Sequence, residues 1–398
     1  MSLKIIQILH HSPSWTSKNL SDDIFDGWHV RTAKAMLKLG IKNCYIECWV
    51  PEKTKSKEEY IEKNGITYRT FPSHSINYTR EISYSMIKAI KKEQTNQILL
   101  HIHGVFNYTT YTIAQFFTDI PIVIQHHGDC PPLNLLLRRK LLCLALPLLE
   151  LEHFFFSKTV NKIDYFFCLT EACRNSLNYL GAKNRSVVQT MGVDFNQFSP
   201  GSKDEARQAL NFPLNSKIIL YIGKLDSYKG CDKLLSTYTK LKNSYDIRLV
   251  IVGASNRDEF YNEAIKSRAI VFPRQSHDNL KLFYQSADVF VLPGSEQYNR
   301  WGGIGVNTIE SLACNTPVVS GTLSHFPSNY RNLGVYAITT EQITDGIKYV
   351  LSHPDEFFCC REIAQNYYDW QKIADNTYNI YKQLFLSYYN TRLEKSND

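Results

Sequence analysis

The stretch from Ala287 to Gly321, ADVFVLPGSEQYNRWGGIGVNTIESLACNTPVVSG, constrains the fold more than any other part of the chain. Val289-Phe290-Val291-Leu292 is a continuous apolar run, the pattern of a strand in a parallel sheet covered on both faces. A polar loop, Ser295 to Arg300, and then Gly302-Gly303-Ile304-Gly305 come next. Beyond them Val306, Ile309, Leu312 and Ala313 fall on one helical stripe, and Thr316 to Val319 reads as a second strand. Strand, glycine loop, helix and strand predict a βαβ unit whose loop lies at the ligand-binding end of an open α/β sheet. Glycines before a helix often serve only a tight turn. Here they also let a backbone approach a ligand closely, and the free N–H groups at a helix start favour an anion such as phosphate. Glu310 lies next to apolar Ile309, near the inner stripe, where an unpaired carboxylate is costly. A partner such as a ribose diol is therefore expected for it.

The rest of the chain repeats the alternation. Strands are predicted at Ile5 to Leu9, Cys44 to Val50, Ile98 to His103, Ile120 to Gln125 and Tyr165 to Leu169. Helical spacing covers Val30 to Leu39, Arg80 to Lys92 and Glu171 to Leu180. After a cluster of turn residues between Met191 and Gly201, a second series starts, with strands at Ile218 to Ile222, Leu249 to Val252, Ile270 to Phe272, Val289 to Leu292 and Pro317 to Val319. Such alternation predicts doubly wound parallel sheets in two α/β halves. We place the boundaries at 1–195, 196–370 and a C-terminal helix, 371–398, that returns to the first half. A chain of 398 residues exceeds the size at which one core stops growing.

Composition narrows the function classes. With 43% hydrophobic and 21% charged residues the chain is globular, and a net charge of +7 is too small to indicate nucleic acid. Ten cysteines carry no C-x-x-C spacing, so reduced thiols, no metal site and a cytoplasmic location are expected. No run approaches the roughly eighteen apolar residues of a membrane span. Leu133 to Phe156 is very apolar with Arg138, Arg139 and Lys140 at one side. It reads either as a buried helix kinked at Pro147 or as a helix lying on an anionic membrane surface.

Four ordered segments resemble the retaining glycosyltransferases of family 4: TMGVDFNQFSP, YIGKLDSYKGCDKLL, LFYQSADVFVLPG and IESLACNTPVV. The first half is similar more loosely, through IVIQHHGD and DYFFCLTEACRNSL. That resemblance implies a GT-B fold, two Rossmann-like domains facing across a cleft. It implies transfer of a sugar from a nucleoside-diphosphate sugar, used as substrate rather than cofactor, to a glycan or lipid-linked acceptor.

Site residues follow position by position. Lys224 and Lys229, after the strand Ile218 to Ile222, are expected to bracket the leaving diphosphate, which needs no metal ion. The amides of Gly302, Gly303, Ile304 and Gly305 are expected at the phosphates and Glu310 at the ribose. His127 matches a histidine that family members aim at the donor sugar. Arg274, following the strand Ile270 to Phe272, is placed with the nucleotide-binding residues, its role unassigned.

The sequence departs from the pattern where the family has a second glutamate, eight positions before Glu310: Gly302 stands there. Glu296 is the charged candidate to replace it, with Gln297 and Asn299 as alternatives. The departure leaves two rival readings, a non-catalytic sugar-nucleotide-binding subunit and a UDP-sugar epimerase of the same fold.

Overall fold

The computed structural model describes residues 3–15, 24–77, 79–94, 96–128, 151 and 154–396, with side chains to residue 389. The apolar segment with Arg138, Arg139 and Lys140 lies almost wholly outside the described residues. Among these residues no helix is long and apolar enough to cross a membrane.

The chain divides into two compact units, Met1–Gln189 with Gln371–Asp398, and Thr190–Trp370. The border falls before Met191, not after Phe195. The reason is packing: Val193 and Phe195 are buried in the second unit's core, and the Val193 N–H donates to the Tyr368 carbonyl at 2.9 Å.

The first unit is built on an eight-stranded sheet in the order Ser186–Val188, Tyr165–Cys168, Ile122–His126, Ile98–His103, Leu3–Leu9, Cys44–Glu52, Ile66–Pro72, Glu59–Lys63. Leu3–Leu9 is central and almost continuously buried. The chain runs outward from it to Cys44–Glu52 and then returns to its other side at Ile98–His103, so the strand order reverses between Leu3–Leu9 and Ile98–His103. The sheet is not wholly parallel as the sequence predicts. Glu59–Lys63 pairs antiparallel with Ile66–Pro72 through Asn64-Gly65, both at positive φ (53° and 77°). An Asn-Gly pair with two positive φ values makes the tight hairpin turn whose twist suits the strands. The helix expected from Arg80 starts later, at Tyr84–Glu93, because Ser83 caps it by accepting the Met86 N–H at 3.2 Å.

The C-terminal helix, Trp370–Ser396, packs on the first unit's sheet. Tyr389 bonds both the N–H (3.0 Å) and the carbonyl (3.1 Å) of Ile98 through its hydroxyl. Tyr381 is fully buried and reaches Gln7 and His101. This sheet face is polar within an apolar core: Gln7, His101 and His103 are at most 1% exposed. His29, on the helix Trp28–Leu37, sits edge-on to His103 with ring centroids 6.2 Å apart.

The second unit has a six-stranded parallel sheet in the order Ile270–Phe272, Ile247–Val252, Lys217–Ile222, Val289–Leu292, Val318–Ser320, Gly334–Val335. The order reverses between Lys217–Ile222 and Val289–Leu292, the crevice where open α/β sheets take ligands. Buried rows from both faces, such as Leu234, Leu235 and Tyr238 on one helix and Ile309 and Leu312 on another, close the core.

The buried histidines give a pH prediction. Burial, and secondarily His127, lowers the pKa values of His29 and His101 from 6.5 to about 3, and burial with neighbouring imidazoles lowers that of His103 well below 6.5. Depressed folded-state values mean that the unfolded chain binds protons first. Stability is full above the unfolded value and falls as pH drops toward 3, by about 1.4 kcal/mol per pH unit for each of His29 and His101. Neither nitrogen of His29 has a hydrogen-bond partner among the described residues. Urea unfolding of His29→Leu should therefore show a shallower loss of stability between neutral pH and pH about 5, smaller by about 2 kcal/mol. An unchanged slope would contradict the burial of a neutral imidazole there.

Candidate functional site

The candidate residues of the second unit, Arg274 excepted, lie around its switch point. The strand Lys217–Ile222 ends at Gly223, and a single 3-10 turn, Ser227–Lys229, follows. Asp226 caps that turn, its Oδ1 accepting the Lys229 N–H at 3.0 Å, and its Oδ2 lies 3.8 Å from the Lys224 ammonium. Lys224 is exposed, whereas Lys229 is half-buried. Burial lowers the Lys229 pKa, only partly offset by Asp226. A desolvated ammonium of this kind gains from an added anion.

Gly230 then takes a left-handed conformation, φ 74°, before the helix Cys231–Leu241. A Cβ there would lie 2.9 Å from the Pro293 Cβ and 3.0 Å from the Gly294 backbone. The close approach serves two backbone bonds between the loops, Gly294 N–H to the Lys229 carbonyl (2.9 Å) and Ser295 N–H to the Tyr228 carbonyl (3.0 Å). The lysine turn and the segment after Val289–Leu292 are thus one rigid piece.

That segment is not the loop the sequence suggests. Glu296–Trp301 is a short helix, because Ser295 caps it by accepting the Tyr298 N–H at 3.1 Å. Glu296 lies exposed in its first turn. Asn299 turns inward, donating to the Pro293 carbonyl at 3.3 Å, and its Oδ1 is buried with no hydrogen-bond partner among the described residues. Gln297 is half-buried. Tyr298, which the sequence reading missed, is the link between the candidates. The Lys229 ammonium lies 6.0 Å from its ring centroid, and Tyr228 meets it edge-on at 5.3 Å. Its hydroxyl lies 3.3 Å from where a Gly305 Cβ would be. Burial first, then Tyr228, pushes its pKa up to about 12, so it is a neutral donor.

Gly302 ends the short helix. A side chain there is obstructed, since its Cβ would come within 2.9 Å of the Tyr298 carbonyl oxygen. Gly303 follows at φ 66°, and Ile304 is buried, its carbonyl accepting the Thr322 hydroxyl at 2.9 Å. Gly305, φ 77°, starts the helix Val306–Ala313, and no side chain caps it. Asn307 ties the first turn to the end of the strand Lys217–Ile222 by donating to the Ile222 carbonyl at 2.6 Å. Thr308 is fully buried, and its hydroxyl has no hydrogen-bond partner among the described residues. It lies 3.7 Å from the Gly305 Cβ position. An uncapped helix start, a desolvated lysine and a hydroxyl without a hydrogen-bond partner among the described residues are the chemistry that can receive an anion.

Glu310, for which the sequence suggests a partner such as a ribose diol, already has partners within the protein. It is 3% exposed, its Oε2 accepts the Tyr284 hydroxyl at 2.8 Å, and its Oε1 lies 3.7 Å from His277 Nδ1. Burial, with Glu310 second, raises the Tyr284 pKa well above 10, so the phenol stays a donor to the carboxylate. Neither Tyr284 nor His277 stood out in the sequence, although both lie on one helix, His277–Ser286, within the LFYQSAD segment and just before it. Arg274 is exposed beyond the strand Ile270–Phe272, which is the sheet edge, two strands from the switch-point strand Lys217–Ile222.

His127 belongs to the first unit, just past the strand Ile122–His126. Its Nε2 lies 3.0 Å from His103 Nδ1, the two rings stack at 5.2 Å, and Trp28 stacks on its ring at 5.8 Å. Among the described residues no group of three or more His, Cys, Asp or Glu is placed to hold a metal ion.

Residues 202–366 match the family described as glycosyl transferases group 1. The D-inositol 3-phosphate glycosyltransferase of Corynebacterium urealyticum is 28% identical over 230 residues, 52% of this chain and 53% of that protein. The chain thus spans about half the length of this curated relative. Two solved structures superpose over nearly the whole chain. Sucrose-phosphate synthase from Thermosynechococcus elongatus has a TM-score of 0.73 at 17% identity, covering 97% of this chain and 100% of its own. Anabaena HepE in complex with UDP has a TM-score of 0.69 at 12% identity, covering 96% and 100%. The chain has the GT-B fold of these neighbours, and its residues 202–366 match the glycosyl transferases group 1.

Proposed function

We propose that the protein transfers a sugar from a nucleoside-diphosphate sugar to an acceptor hydroxyl with retention of configuration and without a metal ion. One observation carries this reading: the desolvated Lys229 ammonium stands at the switch point with the uncapped start of Val306–Ala313, where Thr308 keeps a buried hydroxyl without a hydrogen-bond partner. The diphosphate would take the lysines and the helix start, and Glu310 the ribose. As the sugar departs, charge builds on the diphosphate, and fixed positive groups stabilise it most at that moment. The departing phosphate oxygen is the base that takes the acceptor proton on the same face. Arg274, exposed beyond the sheet edge, would reach the base end of the nucleotide.

HepE binds UDP in its solved complex, which favours a UDP-sugar donor. The acceptor is a hydroxyl of a glycan or lipid-linked glycan, or of an inositol phosphate as the name of the Corynebacterium relative suggests. A lipid-linked acceptor would fit peripheral contact of the cytoplasmic protein with an anionic membrane through the segment around Arg138, Arg139 and Lys140.

Gly302 favours a second reading, a sugar-nucleotide-binding subunit without catalysis, since the Tyr298 carbonyl obstructs a side chain there. Turnover of UDP-, GDP- and ADP-sugars with and without an acceptor panel separates the readings. Acceptor-dependent release of nucleoside diphosphate supports transfer. Binding without any release supports the subunit, and conversion of the sugar without acceptor supports an epimerase.

Glu310→Ala should weaken UDP binding by about 1.5–3 kcal/mol, and Tyr284→Phe by about 0.5–1.5 kcal/mol, because the phenol only holds the carboxylate in place. Calorimetry showing equal affinity in all three proteins would remove Glu310 from the site. Lys229→Ala should lower kcat at least tenfold, a loss of about 1.4 kcal/mol in transition-state stabilisation, with a smaller change in donor KM. A chelator should leave the wild-type rate unchanged; a loss restored by added metal would contradict the metal-free mechanism. Glu296→Ala should reduce turnover while sparing affinity for free UDP. An unchanged rate would shift the sugar contact to Gln297 or Asn299.

A further inference from the structure

The first unit carries a chain of polar side chains that its packing alone does not need. It starts at Tyr381 on the C-terminal helix and ends at His127, and every member before His127 is buried. Gln7 Nε2 donates to the Tyr381 hydroxyl at 3.2 Å, and Gln7 Oε1 faces His103 Nε2 at 2.9 Å. His103 Nδ1 in turn lies 3.0 Å from His127 Nε2. Register explains the alignment: Gln7 pairs with His101 across the two central strands, and Leu9 with His103, so Gln7, His101 and His103 project from one face. His127, at the outer end of the chain, follows the strand Ile122–His126, which neighbours the reversal point at Ile98–His103.

Donor and acceptor rules fix the direction of the chain. A glutamine amide oxygen only accepts, so His103 must carry its hydrogen on Nε2. Desolvation, with the neighbouring imidazoles His101, His127, His29 and His10, keeps His103 neutral. A neutral imidazole has one N–H, so Nδ1 of His103 is an acceptor and His127 Nε2 must donate to it. At the other end the Tyr381 hydroxyl, having accepted from Gln7, donates to His101 Nδ1.

We propose that Gln7 and His103 are positioning residues that fix His127 as its Nε2–H tautomer, so that His127 takes up and releases a proton only at Nδ1. The functional weight of this rests on the reading of His127 as a donor-sugar residue; the tautomer itself does not. With Nε2–H fixed, Nδ1 of His127 is an acceptor when the ring is neutral and a donor when it is charged. Trp28, stacked on the ring at 5.8 Å and an interplanar angle of 29°, holds the plane while the chain holds the proton. Turning the Gln7 amide over would reverse every bond of the chain, so its direction is measurable.

The test is two-bond proton–nitrogen correlation spectroscopy of the full-length protein labelled with 15N-histidine, at neutral pH. The His127 signals are those lost in His127→Asn. The expected pattern is a pyrrole-type Nε2 and a pyridine-type Nδ1 for His127 and for His103. The opposite pattern at His127, or averaged shifts, overturns the proposal. In Gln7→Leu the direction is no longer imposed, and His127 should show both tautomers. Sugar-nucleotide turnover should then fall about twofold in kcat/KM, in proportion to the competent fraction. A single unchanged Nε2–H tautomer in Gln7→Leu overturns the role of Gln7. If that variant does not fold, Tyr381→Phe removes the acceptor that orients the amide and should give the same mixture. Wild-type tautomers as assigned together with a wild-type rate in His127→Asn would overturn His127 as a site residue and leave the positioning intact.

Discussion

Two backbone hydrogen bonds, Gly294 N–H to the Lys229 carbonyl and Ser295 N–H to the Tyr228 carbonyl, join the halves of the second unit's site. They bridge the loops that follow the two central strands, an approach that Gly230 allows by having no side chain to strike Pro293 and Gly294. Everything chemical in the unit depends on that bridge. It sets the Lys229 ammonium over the Tyr298 ring, and it sets Tyr298 beneath the glycines that start the next helix. Charge and backbone dipole then point into one space. Each contributes modestly alone, a helix terminus about 0.3–1 kcal/mol for a nearby charge, but partial burial enlarges both terms.

The first unit solves a different problem. Its central strands bury Gln7, His101 and His103 where branched apolar residues would give a more stable sheet. Glu52 and Glu81 are equally costly: both are buried, and both hold the segment after Leu3–Leu9, Glu52 through Ser14 (3.1 Å to its N–H) and Glu81 through Ser12 (2.9 Å to its N–H) and Trp15 (3.0 Å). Buried polar groups of this density persist where orientation matters more than stability. They surround the switch-point end of the sheet, the end where a ligand is expected.

Much of this was legible in the sequence and some was not, for physical reasons. The strands of both sheets show as apolar runs because parallel strands are covered on both faces, and the two series of runs separate the units to within a few residues. That Lys229, Gly303 to Gly305 and Glu310 follow strand ends of one βαβ series was legible, because the apolar runs mark those strands; their expected roles came from the family resemblance. The Asn64-Gly65 hairpin carried a readable turn signal, but its strand EYIEK is exposed and charged, and so lacks the apolar run that marks the others. Glu296–Trp301 reads as a loop in the sequence because so short a helix is decided by one cap, Ser295, rather than by periodicity. Tyr284 and His277 escaped notice because their partner, Glu310, lies over twenty residues away in sequence and meets them only across packed helices.

The proposed function depends on a nucleoside diphosphate binding at the switch point of the second unit, at the lysine turn and the start of Val306–Ala313. Hydrogen–deuterium exchange of the intact protein with and without saturating UDP tests it directly. New protection is expected in peptides covering residues 223–230 and 302–310, since amides there become bonded or shielded by the phosphates. Protection confined to other segments, with these two unchanged while UDP is bound, would contradict it.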